Sequence, residues 1–188
     1  MKYTSTLFIV VCLMLVGSVC AAPLKDDAVH RRPVALEYSA ATSQLLILNQ
    51  RSASMSIFDT QRQMILREDQ LGGRPTDMEW IDGTALVAVS NDETHVVSLY
   101  RVSTQQLLHV HDIPSCRYPI QLKYDARTSL LYVAGLWSRQ LAVLRINKTE
   151  PQQSKLIQLV DLSFAPRKMV VDRAGDRMII GDAYGGTL

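Results

Sequence analysis

Disulfide capacity, helical periodicity and charge of one sign are all scarce in this sequence, and each scarcity excludes something. Of its three cysteines, Cys12 and Cys20 fall within the first 21 residues. Those residues have the three regions of an export signal: one cation at Lys2, an apolar run from Leu7 to Val16, and small residues Gly17, Ser18, Ala21 and Ala22 before Pro23. The apolar run is about half the ~20 residues that cross a bilayer, so a signal cleaved after Ala21 is the first reading and a membrane anchor the alternative. After cleavage only Cys116 is left, and an exported chain with one cysteine holds together without an internal disulfide. Cys116 itself reads as a small buried hydrophobe beside a strand.

The balance of 20 Lys+Arg against 18 Asp+Glu, a formal charge of +2 over 188 residues, removes the whole-molecule field that nucleic acid would need. With 47% hydrophobic and 20% charged residues, the composition excludes disordered, collagenous and coiled-coil chains and fits one globular domain or part of a larger one. No stretch sustains the helical spacing of apolar residues. There is no Cys-x-x-Cys-His haem attachment, no Gly-x-Ser-x-Gly elbow, no phosphate loop and no dinucleotide fingerprint, so no cofactor and no catalysis by this chain alone are expected.

What the sequence does contain is a repeat. Four segments begin at a proline: Pro33-Val-Ala-Leu-Glu-Tyr, Pro75-Thr-Asp-Met-Glu-Trp, Pro119-Ile-Gln-Leu-Lys-Tyr and Pro166-Arg-Lys-Met-Val-Val, at intervals of 42, 44 and 47 residues. A long aliphatic stands three residues after each proline (Leu36, Met78, Leu122, Met169) and a bulky apolar or aromatic five after it (Tyr38, Trp80, Tyr124, Val171). Turn residues follow, then a strongly apolar strand beginning at Leu45, Ala85, Leu130 and Met178. A third strand alternates at 55–59, 96–101 and 141–146, and a fourth is readable at 64–66, 107–110 and 156–160.

Four strands per ~40 to 45 residues is the period of a β-propeller blade, in which each sheet covers its neighbour's faces. The expected fold is all-β: a partial propeller with three complete four-stranded blades plus half of a fourth. The expected division is a signal at 1–21, a linker at 22–32, and blades at 33–74, 75–118, 119–165 and 166–188. Segments 124–134 and 170–181 also resemble the YVTN-type propeller repeat of exported bacterial proteins: an apolar strand, an Asp-rich turn, then a Tyr-Val-Ala-Asn-like strand. The resemblance spans about 33–188, with Gly135 and Gly181 standing where the pattern has Asn. It implies fold more than function. Because the fourth repeat stops at its third strand, the chain is expected to be the front half of a longer protein.

Ligands of propellers often sit on the rim formed by the loops after the second strand and between blades. There the sequence offers Arg51, His95, Trp137, Arg139 and Tyr184, and, beside the prolines, Arg32, Arg74, Arg117 and Arg167. Guanidinium groups bind carboxylate or phosphate bidentately, so these make a candidate basic rim; solvation or pairing with loop Asp and Glu is the plain alternative. Trp137 lies in a loop where the pattern requires no burial and is the best single contact candidate. Carboxylates Asp92, Glu93 and Asp182 would have to meet at one point to hold Ca²⁺. His109 and His111 would share one strand face, the beginning of a metal site without a third ligand, so no metal is assigned.

The leading functional expectation is an exported, non-catalytic propeller module, periplasmic or secreted. It would bind an unknown protein or an anionic ligand at one rim, with no nucleic acid and no membrane contact after signal cleavage. The alternative, implied by similar propellers joined to c-type cytochrome domains, is the N-terminal module of a larger oxidoreductase.

Overall fold

Each repeat proline opens a strand. Proline cannot donate to a ladder, so it belongs at a strand's first residue, and in every blade the residue after it is a bulge that restores the register. The computed structural model describes residues 30–103, 105–172 and 177–185. The export signal and most of the linker lie outside the described residues.

Blade 1 is built from β1 (Pro33–Ser39), β2 (Gln44–Asn49), β3 (Ser54–Asp59) and β4 (Met64–Gln70); blade 2 from β5 (Pro75–Trp80), β6 (Leu86–Asn91), β7 (Val96–Val102) and β8 (Leu107–Pro114). Blade 3 contains β9 (Pro119–Asp125), β10 (Leu130–Gly135), β11 (Gln140–Arg145) and β12 (Lys155–Asp161), and the fourth sheet is the pair β13 (Pro166–Asp172) and β14 (Arg177–Asp182). Strands pair antiparallel in chain order, giving three four-stranded sheets and one of two strands, a partial β-propeller. One three-residue 3₁₀ turn, Pro151–Gln153, sits between β11 and β12.

Alternation along the strands divides each sheet into two faces. The cross-strand sets Ala35, Leu48, Met55 and Glu37, Leu46, Ile57 face blade 2, where Met78, Val87, Val89 and Tyr100 complete the cluster. The opposite face of blade 2, with Ala88, Val97 and Leu99, meets Leu122, Tyr124, Leu131 and Val133 of blade 3. Ala134 and Leu141 of blade 3 then receive Met169. So the third residue after the proline is the one that seats each blade on its predecessor: Met78, Leu122 and Met169 are only 1%, 1% and 2% exposed. Leu36 is a correction to the expected equivalence. It is 60% exposed, because among the described residues no sheet covers this face of β1.

A second correction concerns the histidines. The outer strand pair of every complete blade slips by one residue, between Ile57 and Phe58, Leu99 and Tyr100, and Val143 and Leu144. In blade 2 this bulge sets His109 opposite Tyr100 and His111 opposite Leu99, so the two imidazoles lie on opposite faces rather than one. His109 Nε2 pairs with Asp112 at 2.8 Å and His111 Nε2 reaches the Ser154 carbonyl at 3.2 Å.

Candidate functional site

The side chains two and four residues after each proline point past the core toward the next blade and the axis: Ala35 and Glu37, Asp77 and Glu79, Gln121 and Lys123, Lys168 and Val170. Several of them stitch the blades. Asp77 Oδ2 accepts the Leu122 N–H at 2.8 Å, and Gln121 Oε1 accepts the Met169 N–H at 2.6 Å. Glu79 accepts from the Tyr124 N–H at 3.2 Å and from Lys123 Nζ at 2.9 Å. These acceptors cap N–H groups on the innermost strand, whose far edge has no strand beside it. The repeat phase was visible in the sequence, but not this use of it: an Asp, Glu or Gln at the second or fourth position after a proline was the available signal.

Burial near one another leaves two of the axial carboxyls perturbed. Desolvation, reinforced by the Glu79 charge, raises the Glu37 pKa to about 7. Desolvation also raises Asp77 to about 6, against the pull of the hydrogen bond from Leu122. The Glu37 carboxyl makes no hydrogen bond or ion pair among the described residues. It lines a cleft of about 180 Å³ with Glu79, Trp80, Asp82 and Lys123.

At the other end of the innermost strands the sign of the charge reverses. The residues that follow the four prolines, Val34, Thr76, Ile120 and Arg167, ring a cleft of about 270 Å³ completed by Arg32, Gln50 and Lys168. The side chains of Arg32, Arg167 and Lys168 make no ion pair or hydrogen bond among the described residues. Three exposed cations therefore line one small axial mouth, Lys168 also acting on the Asp77 carboxyl without bonding to it, an arrangement suited to an anion.

Of the rim residues nominated from the sequence, Arg32 and Arg167 line this mouth; Arg51, Arg74, His95, Arg117, Trp137, Arg139 and Tyr184 do not. Trp137 and Tyr184, 65% and 69% exposed, come from equivalent loops of successive blades and stack with ring centroids 6.1 Å apart. His95 packs edge-on against Tyr118 at 5.0 Å, and its Nδ1 accepts the Tyr118 N–H. His95 and Arg139 occupy the same left-handed turn position, with φ of 60° and 51°. Arg74 is bound to Asp92, while Arg51, Arg117 and Arg139 are exposed. Asp182 caps its own turn through the Tyr184 N–H, and among the described residues no three His, Cys, Asp or Glu side chains are placed to hold a metal ion. A larger cavity, about 630 Å³, lies at the opposite rim between the first hairpins of blades 1 and 2, with Asp82 the one charged residue among those lining it.

No family model matches the chain, and no curated protein matches it. Solved structures do. Hydrazine synthase of Kuenenia stuttgartiensis superposes with a TM-score of 0.70 at 20% identity, over 90% of this chain and 47% of that one. A putative 6-phosphogluconolactonase of Bacteroides uniformis gives 0.70 at 10% identity, over 80% and 47%. The Cps50 (Swd1) β-propeller domain of Myceliophteria thermophila gives 0.62 at 11%, over 84% and 50%. At these identities the likeness is one of fold: the chain is a β-propeller, and it spans about half the length of the structures it matches.

Proposed function

We propose that the chain is an exported propeller module of the YVTN-repeat kind that binds an anionic ligand, a carboxylate or a phosphate, at the mouth of its axis. The observation that carries this reading is the convergence of Arg32, Arg167 and Lys168, none of them ion-paired, on one 270 Å³ cleft. An anion seated in the cleft would accept charge-assisted hydrogen bonds from these side chains. Trp137, Tyr184, Arg139, Arg51, Arg74, Arg117 and His95 stand outside the mouth as a surface for a protein partner or for the rest of a larger ligand. The name of the Bacteroides uniformis neighbour makes a phosphorylated sugar acid a sensible first probe.

Calorimetric titration at low salt with inorganic phosphate, citrate and 6-phosphogluconate tests the reading. At least one should bind, with Arg32→Ala and Lys168→Ala each weakening it about tenfold, as loss of a charge-assisted hydrogen bond does. No heat from any of the three at millimolar concentration, or binding unchanged in both variants, overturns it. The export part is tested separately by N-terminal sequencing of the secreted chain, which should begin at Ala22.

A further inference from the structure

The joint between blades 1 and 2 is built differently from the one that follows it. At the rim opposite the axial mouth, the joint between blades 2 and 3 is plugged by Ile81 and Leu86, which stand six residues after Pro75 and five before Asn91. Counted from Pro33 and Asn49, the same two positions of blade 1 are Ser39 and Gln44, partners across β1 and β2. The turn residues around them, Ala40, Ala41, Gly83 and Ala85, are too small to replace the missing plug, and the cavity of about 630 Å³ opens there. It lies within a joint, with a sheet on each side, rather than on a free face.

Gln44 shows that this space is more than a packing gap. The residue is 6% exposed, yet its side-chain amide makes no hydrogen bond among the described residues. Nor is the amide sealed in: the fully occluded unpartnered atoms are others, Trp80 Nε1 among them, so the amide opens on the cavity that Gln44 lines. A buried amide without a partner costs free energy that an aliphatic side chain, such as Leu86 one blade later, avoids, and a ligand that bonds to it offsets that cost. The other lining groups define the ligand's chemistry. Trp80, Ile81, Ala85 and Val102 suit an apolar body, and the volume is that of a site for a small organic molecule. The charge is that of Asp82, whose carboxylate makes no hydrogen bond or ion pair among the described residues; Lys148 Nζ takes only the Asp82 carbonyl, at 2.7 Å. Trp80 and Asp82 also line the neighbouring cleft of Glu37 and Glu79, where Lys123 is already bound to Glu79, so the adjoining field has the same sign.

We propose that this cavity binds a small apolar amine, its hydrocarbon body against Trp80 and Val102 and its ammonium end served by the Gln44 amide and the Asp82 carboxylate. The site lies on the opposite rim from the axial mouth and does not depend on an anion being bound there.

The chain has two tryptophans, and Trp137 stands on the far rim, so in Trp137→Phe the remaining indole N–H resonance reports on Trp80 in the cavity wall. Phenylbutylamine, phenylbutanol and phenylbutyrate share one body and differ in charge. Titrated to millimolar concentration at low salt, the amine should shift that resonance saturably and bind about fivefold more tightly than the alcohol, the worth of one exposed ion pair, with the carboxylate weakest. Gln44→Leu should weaken the amine about tenfold with Tm equal to or above the parent's, a combination that a merely structural glutamine does not give. Asp82→Asn, at an exposed position, should bring amine and alcohol to the same affinity, and it decides the matter alone if Gln44→Leu folds poorly. A Trp80 resonance that the amine does not move, an amine bound equally well by Gln44→Leu, an alcohol or carboxylate that binds as tightly as the amine, or a preference for the amine that survives Asp82→Asn overturns the proposal.

Discussion

Glu37 and Asp77 hold their protons more tightly in the folded chain than their ordinary values of 4.5 and 3.8 allow, at about 7 and about 6. For a carboxyl raised by folding, the native state binds more protons than the unfolded one between the two pKa values, so stability falls as pH rises through that interval. The contribution is whole below about pH 4 and gone above about pH 7. Urea midpoints measured across that range should therefore decline, and Glu37→Gln should flatten the upper part of the decline; a rise with pH would contradict the buried placement of both groups. Gly135 makes a steric rather than an electrostatic prediction. A Cβ there would stand 2.3 Å from Ser138 Oγ, 2.7 Å from the Arg117 carbonyl and 2.8 Å from Cys116 Sγ. Gly135→Ala should cost about 1 to 3 kcal/mol in chemical denaturation, the usual penalty for forcing atoms into a filled site. The same crowding explains why this repeat lacks the Asn that blades 1 and 2 carry opposite their prolines, Asn49 and Asn91; in the fourth sheet it is Asp182, not Gly181 as the sequence pattern suggested, that pairs with Pro166. Asn91 ties its turn to the Gly72 carbonyl, whereas in blade 3 the Ser138 hydroxyl reaches the Arg117 carbonyl at 2.8 Å and leaves no room for a side chain at 135. Cys116, 1% exposed and with its thiol pKa pushed up by burial, should resist a maleimide until the chain is unfolded.

At the scale of strands, the joint between blades 2 and 3 has two parts that mutation can separate. Leu122→Ala removes the apolar plug and should cost on the order of 2 to 5 kcal/mol, since a filled site between two sheets becomes a cavity. Trp137→Ala, on the rim, should cost less than about 1 kcal/mol, the worth of one exposed ring contact. Asp77→Ala leaves the Leu122 N–H without its acceptor and should destabilise by about 1 to 3 kcal/mol, while Asp77→Asn should recover most of that, because the amide of Gln121 does the same work one blade later. If Asn is as harmful as Ala at 77, the carboxylate's charge rather than its bond holds the joint. The strands themselves were legible because a two-residue period and a repeating proline survive in any sheet of this kind. The outer strands were read short: β4 continues through Arg67, Glu68, Asp69 and Gln70, where charged side chains hide the alternation. Glu68 there accepts from Ser54 and Arg31, so it is strand structure made from residues that look like loop. The bulge that separates His109 from His111 was not legible at all, since a bulge is set by pairing with β7 and leaves no mark on its own strand. The axial mouth was half legible: Arg32 and Arg167 stood out beside their prolines, but Lys168 joined them only once four strand starts were brought around one axis.

For the molecule as a whole, a propeller is close to a one-dimensional array in which each sheet owes its stability to its neighbours. Blades 2 and 3 each have a sheet on both sides, and the cluster between them is the largest, running from Ile81 and Leu86 through Leu122 to Ile146. Among the described residues, blade 1 is covered on one face only and β14 has no strand on its outer side. Unfolding should then begin at the ends and reach the middle last, so native-state hydrogen exchange should rank β6, β7, β10 and β11 as the slowest strands and β13 and β14 as the fastest. Exchange at one uniform rate in every strand would instead mean that the blades unfold as one cooperative unit, and the nearest-neighbour description of this chain would have to be given up.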